Sequence, residues 1–563
     1  MTTELLTPYE RGNKNQTTTW EDCIRFYKDL ESNFPKVLKL VDIGTSDGGV
    51  PLYAGVVSSD GMHDFAEIKR THRPVFFNNN GIHPGEPEGI DVCMALVRDF
   101  CVDPARLAAL KNVVFLFIPI YNVDGSNNRN SSSRVNQAGP EIFGFRGNAI
   151  NLDLNRDFIK CDSLNAQAFN RFFSAWDPDV MVDTHTSNGA DYSYTMTVIQ
   201  TQADKLGGET GEFLRDKMMP LIAEKMMARG WPFCPYVNPV KEIPDDGIED
   251  FLETPRFSTG YAALNHTLGM MPETHMLKPY KDRYDSMRAL VEEVLTFTVT
   301  NAQQIQTLRQ KAKENDEGRQ QWPVQWEVNR NRPSKFRFKG YAAVYSPSKL
   351  GNYTRLSYDR TQPWEKDIDY FDHFEESVTI TAPRFYVIPQ EWRAVIERLQ
   401  WNGVYMEQIA ETRTQEVQTL HIKKVKTRIT PYEGHMFHDE VETEARTEMV
   451  KLKRGDFLLS LQQPKVRYAV ETLEPLAHDS FFRWGFFNSI LEKKEAYSDY
   501  VFEDTALELL DSEPELKRQF GQWKKDHSHL LSDQTAVLNF IFAHCKKYVE
   551  PEWLRYPVYR LMC

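Results

Sequence analysis

Directly after the apolar run Val75-Phe76-Phe77, the chain reads Asn78-Asn79-Asn80-Gly81-Ile82-His83-Pro84-Gly85-Glu86-Pro87-Glu88-Gly89. The apolar run predicts a buried strand, and the Gly/Pro-dense segment behind it a turn that leads into a helix from Glu86 to Arg98. His83 and Glu86 are thereby offered at the C-terminal end of a strand, the end at which open α/β sheets bind ligands. An imidazole and a carboxylate at His-x-x-Glu spacing can converge on one metal ion, and the glycines let the backbone come close. We read the two as zinc ligands. The alternative is a polar strand-to-helix loop in which Glu86 only favours the helix N-terminus, and the residues downstream decide between them.

Outward from this stretch, strands and helices alternate. Strands are expected at Val37 to Ile43, Leu52 to Val57, Val113 to Ile120, Val180 to Val182 and Gly269 to Met271. Helices are expected around Thr19 to Asn33, Ala166 to Trp176, Lys205 to Arg229 and Tyr284 to Lys313. Such alternation predicts one α/β domain over residues 1–314. The composition shift around Trp322, Pro323, Trp326 and Pro333 reads as a linker, 315–333. Residues 334–563 then read as a separate β-rich module with C-terminal helices. Period-two alternation runs through Lys335 to Tyr345, Ser377 to Val387 and Gln415 to Thr430, interrupted by a helix from Gln390 to Gln400 that stops at Trp401-Asn402-Gly403. The aromatic cluster Phe481, Phe482, Trp484, Phe486 and Phe487 is expected to bury as a docking core.

With 563 residues the chain is too long for one core. Its composition, 41% hydrophobic and 26% charged, is that of a soluble globular protein. A formal net charge of −13 and a pI of about 5.6 argue against nucleic acid or an anionic membrane as partner. No apolar run is long enough to span a bilayer, and Met1 to Thr19 lacks the apolar core of a secretory signal. As it stands the sequence is expected to be cytoplasmic, with export by a removed signal peptide the alternative. Seven cysteines without CxxC spacing suggest neither a disulfide framework nor a thiolate metal site.

Two further strand ends deliver polar residues. Val180 to Val182 ends in Asp183-Thr184-His185, and Gly269 to Met271 in Pro272-Glu273-Thr274-His275. His185 completes a His₂Glu set that leaves a fourth position for water, the pattern of a catalytic zinc, one per chain. Glu273 is not needed as a ligand. A free carboxylate beside a zinc-activated water is a general base, able to pass the proton to a leaving amine.

In this order, His83-x-x-Glu86, Asn122-Val123-Asp124-Gly125, Asp153-Leu154-Asn155-Arg156, His185 and Glu273 resemble the M14 family of zinc carboxypeptidases. The resemblance covers roughly Thr7 to Lys313. It implies a mixed, mostly parallel sheet with helices on both faces, and hydrolysis of the C-terminal amide bond of a peptide or protein. It further implies that Asn155 and Arg156 hold the terminal carboxylate, that Asp153 orients the first zinc histidine, and that Arg134 stabilises the oxyanion, with Arg129 or Arg146 as substitutes for it. Thr186-Ser187-Asn188 departs from the Ser-Tyr pair of the digestive members. The family's mobile tyrosine has Tyr261 as its candidate here, and Arg256 falls near the region that selects the terminal side chain. His435 and His438 read as a polar turn. Two other readings stay open: a zinc-dependent deacylase of N-acyl amino acids, and a non-catalytic peptide- or glycan-binding protein.

Overall fold

The computed structural model describes residues 5–548 and 550–562. The first region is built on strands β1 (Leu38–Thr45), β2 (Pro51–Val57), β3 (Val75–Asn79), β4 (Val114–Ile118), β5 (Val180–Asp183), β6 (His185–Ser187), β7 (Met196–Gln200), β8 (Phe233–Pro235), β9 (Ile248–Glu249) and β10 (Leu268–His275). All but β9 form one mixed sheet in the order β1-β2-β4-β3-β5-β10-β7-β8, with β6 alongside β10. The centre is parallel: β3 runs between β4 and β5, and β10 continues beside β5 and β6. Every residue of β3 and β4 is buried, as expected of strands covered on both faces. The helix Glu88–Val102 is buried from Glu88 to Cys101 and packs against the helix Tyr280–Thr300. Among the described residues, six cysteines are free and buried, and no helix is long and apolar enough to cross a membrane.

Several expectations need correction. The helix from Lys205 to Arg229 is broken into Ala203–Leu206, Gly208–Phe213 and Met219–Ala228 with a π-helical turn at Leu214–Met218. The break falls at Gly207 and Gly208, whose φ values of +77° and +53° no continuous right-handed helix accommodates. The stretch 315–333 is not a bare linker. β11 (Gln321–Val328) lies within it, with Trp322 buried, and pairs with a strand beyond it.

Beyond β11 come β12 (Ser334–Pro347), β13 (Thr354–Phe371), β14 (Phe374–Thr381), β15 (Phe385–Ile388), β16 (Glu407–Gln408), β17 (Arg413–Thr427), β18 (His438–Leu452), β19 (Phe457–Ser460) and β20 (Arg555–Leu561). Ser377 to Val387 is two strands in two sheets, because Pro383 lacks the N–H that a continuous ladder needs. β14 pairs with β11, while β15 joins the sheet β16-β19-β15-β20-β17-β18. β12 and β13 form a long hairpin whose outer edge takes up β9, so one sheet draws on both regions.

The two regions also share a core. Phe77, Phe158, Phe169 and Tyr261 belong to the same continuous apolar cluster as Trp322, Tyr386, Trp484 and Tyr556. Phe481, Phe482, Trp484 and Phe487 have no exposed surface. The Trp484 ring meets Phe437 edge-on at 4.9 Å and lies nearly parallel to Tyr432 at 5.9 Å. Trp484→Ala is expected to cost about 3–5 kcal/mol of stability. An unchanged urea midpoint would show that this cluster is not a common core.

Candidate functional site

The turn between β3 and the helix Glu88–Val102 brings His83 and Glu86 to the sheet edge, where β6 supplies His185 and β10 supplies Glu273. In the parallel pairing of β6 with β10, His185 and Glu273 are direct neighbours. Glu273 therefore sits on the strand and not beyond it. A Cβ on Gly85 would stand 2.7 Å from Cδ of Arg134 and 3.0 Å from the Gly144 carbonyl, so glycine here lets Arg134 lie across the turn.

His83 Nδ1 lies 3.1 Å from His185 Nδ1 and 3.4 Å from Glu86 Oε1, and His185 Nδ1 lies 3.1 Å from Glu86 Oε2. Among the described residues, these three form the one group of three His, Cys, Asp or Glu placed to hold a metal, with donor atoms within 4.8 Å of one another. The opposite ring nitrogens are braced. His83 Nε2 is 2.8 Å from Asp153 Oδ1, and His185 Nε2 is 3.0 Å from Asp183 Oδ2. A carboxylate accepts from Nε2–H, which leaves the Nδ1 lone pairs facing each other across the gap. Three buried donors of this chemistry fit a zinc ion with one position left open. Asp183 did not stand out in the sequence as a brace, although its place two residues before a strand-end histidine is a usable signal. Asp183→Ala is expected to weaken zinc binding about 10–100-fold in a chelator competition, and unaltered affinity would remove Asp183 from the site.

Around the donors lies a cationic rim. Arg134 donates to Glu86 Oε1 at 2.5 Å, to the Thr186 carbonyl at 2.9 Å and to Gln137 at 2.6 Å. Arg146 donates to Asp153 Oδ2 at 2.9 Å and reaches Glu86 at 3.5 Å. Arg129 turns away to the Thr18 and Ile142 carbonyls. Burial works to raise the Glu86 carboxyl, but Arg134 and the two histidines hold it well below the usual range. Burial pushes Glu273 up to about 8, opposed by His185 and reinforced by the Glu86 charge.

These groups line a cavity of about 600 Å³ with Asn155, Arg156, Ile199, Tyr236, Phe251, Leu252, Glu253, Phe257 and Met271. Asn155 Oδ1 accepts from the Ser258 amide at 3.1 Å, which leaves its NH₂ free to donate. Arg156 donates to the Asn155 carbonyl at 2.8 Å and stacks over Phe257 at 4.4 Å. Unlike Arg134 and Arg146, it has no carboxylate partner within ion-pair distance among the described residues. Glu253 accepts from Thr259 Oγ1 at 3.1 Å, and burial pushes its carboxyl up to about 7 against the pull of Arg156.

Two expected site residues lie elsewhere. Tyr261 is in the buried helix Ser258–Leu264, where its hydroxyl donates to Asn402 Oδ1 at 2.6 Å and its ring packs on Phe158 and Phe173. It is a core aromatic. Arg256 binds Asp479 through Nε at 2.8 Å and lies over Tyr432, Phe437 and Trp484, so its charge is consumed between the two regions and not offered to the cavity. Tyr236, just past β8, is the tyrosine that lines the cavity, and β8 is too short to mark it in the sequence. His435 and His438 bind Asp162 and the pair Thr427 and Asn488, and ligate nothing together.

A His₂Glu donor set with carboxylate-braced rings opens on a cavity with an uncommitted guanidinium, an arrangement able to hold a metal ion beside a bound anionic group. Residues 23–198 match the family described as zinc carboxypeptidase, Peptidase_M14. Carboxypeptidase 2 of Trichophyton equinum is 22% identical over 439 residues, 74% of this chain and 75% of that protein. Carboxypeptidase 2 of Trichophyton tonsurans is 23% identical over 444 residues, with the same coverage. Among solved structures, a metallo-carboxypeptidase from Burkholderia cenocepacia aligns over 50% of this chain and 69% of its own, with 16% identity and a TM-score of 0.37.

Proposed function

We propose that this protein is a zinc-dependent carboxypeptidase that removes the C-terminal residue of peptides, with His83, Glu86 and His185 as the zinc ligands. The observation that carries this reading is the meeting, in one cavity, of that donor set with Glu273 and the unpaired Arg156. Asn155 and Arg156 bind the terminal α-carboxylate, the guanidinium by charge-assisted hydrogen bonds and the amide NH₂ beside it. Anchoring that end sets which amide bond reaches the donor set, so the cut falls one residue from the terminus. The apolar walls from Ile199, Leu252, Phe257 and Met271 receive the terminal side chain and exclude water. Zinc, when bound, supplies Lewis acidity that activates water near neutral pH and polarises the scissile carbonyl. Glu273 accepts the proton of the attacking water and delivers it to the leaving amine. Arg134 and Arg146 place positive charge where the oxyanion develops.

The test is a product analysis. Zinc-loaded protein should release single C-terminal amino acids from N-terminally blocked peptides and leave simple N-acyl amino acids uncut. Preferential cleavage of the acyl amino acids would replace the carboxypeptidase reading with a deacylase.

A further inference from the structure

The segment that carries Asp153, Asn155 and Arg156 is held from outside the first region. Internally it folds around Asp157, which accepts from Lys160, from the amides of Asp162 and Ser163, and from the Ser163 hydroxyl. Externally, Arg398 donates to the Lys160 carbonyl at 2.5 Å and to Asp162 at 3.1 Å, and His435 binds Asp162 at 2.6 Å. The remaining tie is closest to the donor set. Glu433, at the tip of the β17–β18 hairpin, accepts the Asp153 amide N–H on Oε2 at 2.9 Å.

That tip has an unusual residue in it. Tyr432 and His435 exchange both backbone hydrogen bonds, at 2.8 and 3.1 Å, around Glu433 and Gly434. Glu433 has φ +49° and Gly434 φ +81°, so both central residues are left-handed, as in a type I′ turn. Asn, Asp or Gly is preferred at the first such position, because other side chains are strained there. A glutamate gives up turn stability and gains one methylene of reach, and at the end of that reach is the Asp153 amide. Strain kept beside a functional site is evidence of a second demand on the residue.

We propose that Glu433 is a positioning residue of the site, fixing the Asp153 main chain and through it the carboxylate on His83 and the Asn155–Arg156 pair. The C-terminal region is thus part of the active-site frame. The link to catalysis rests on the carboxypeptidase reading, whereas the brace itself does not.

Two substitutions separate a positioning role from a structural one. Glu433→Asn suits a left-handed turn but falls short of Asp153, and Glu433→Gln keeps both length and acceptor. For E433N the expected result is a thermal midpoint equal to or above wild type. Amide exchange at Asp153, read on zinc-free protein, should be faster. Zinc affinity and kcat/KM on a free-acid peptide should each fall about tenfold. E433Q is expected to stay within about twofold of wild type in all of these. Wild-type zinc affinity and kcat/KM in E433N would overturn the proposal, as would an E433Q that falls as far as E433N. Because the exchange measurement needs neither zinc nor substrate, a protein that proves not to be a carboxypeptidase would still show whether Glu433 holds Asp153.

Discussion

Glu273→Gln is expected to bind zinc as the wild type does and to lose nearly all turnover. The two side chains have the same shape, and Glu273 forms no ion pair within 4 Å among the described residues, so the change breaks no salt link there while removing the cavity carboxylate that neighbours His185 in the sheet. Its neighbour in the sheet is His185, and the cavity places it with the His83–Glu86–His185 set. An amide cannot accept a proton from the attacking water or return it to the amine. Loss of general acid–base help costs about 10²–10⁴-fold. The measurement is kcat at saturating peptide, with zinc content determined by elemental analysis on the same preparation. A kcat within about threefold of wild type would remove Glu273 from the role of base. Loss of zinc together with activity would instead make it a ligand.

Much of the site was legible because strands buried on both faces announce themselves. Val75-Phe76-Phe77, Val113 to Ile120 and Val180 to Val182 are apolar throughout, so the polar residues that end them stand out as those that leave the sheet. His83, Glu86 and His185 were singled out in this way, and the structure brings one potential ligand atom of each within 4.8 Å of the others. Where burial depends on a distant partner, the same reasoning fails. Tyr261 and Arg256 stand close to Phe257, which does line the cavity, but Asn402 claims the one and Asp479 the other, and both partners come from the second half of the chain. In the exposed β12–β13 hairpin the first strand was legible and the second was not, for a different reason. β13 is largely solvent-facing and carries charge on both faces, so buried apolar alternation is confined to Ile368 and Tyr370 near its end. The stretch 315–333 has the composition of a linker because β11 buries only Trp322, Pro323 and Val324 and leaves polar residues outside. Composition reports the exposed part of such a strand and hides the part that joins two cores.

In the proposed carboxypeptidase, Arg156 is the group that selects which end of a substrate is read. Its guanidinium is stacked on Phe257 and tied to its neighbour's carbonyl, so it is oriented, yet no carboxylate neutralises it. If it binds a free α-carboxylate, each charge-assisted hydrogen bond is worth about 1.5–3 kcal/mol, and losing one should lower kcat/KM roughly 10- to 150-fold. Amidating the peptide's C-terminus removes the same charge from the other side. Wild-type enzyme should therefore prefer the free-acid peptide strongly, while Arg156→Ala should be poor on both and nearly indifferent between them. This non-additivity is the mark of two groups in direct contact, whereas independent effects would multiply. Equal wild-type rates on acid and amide would turn the exopeptidase reading into an endopeptidase one and leave the zinc ligands and Glu273 as they stand.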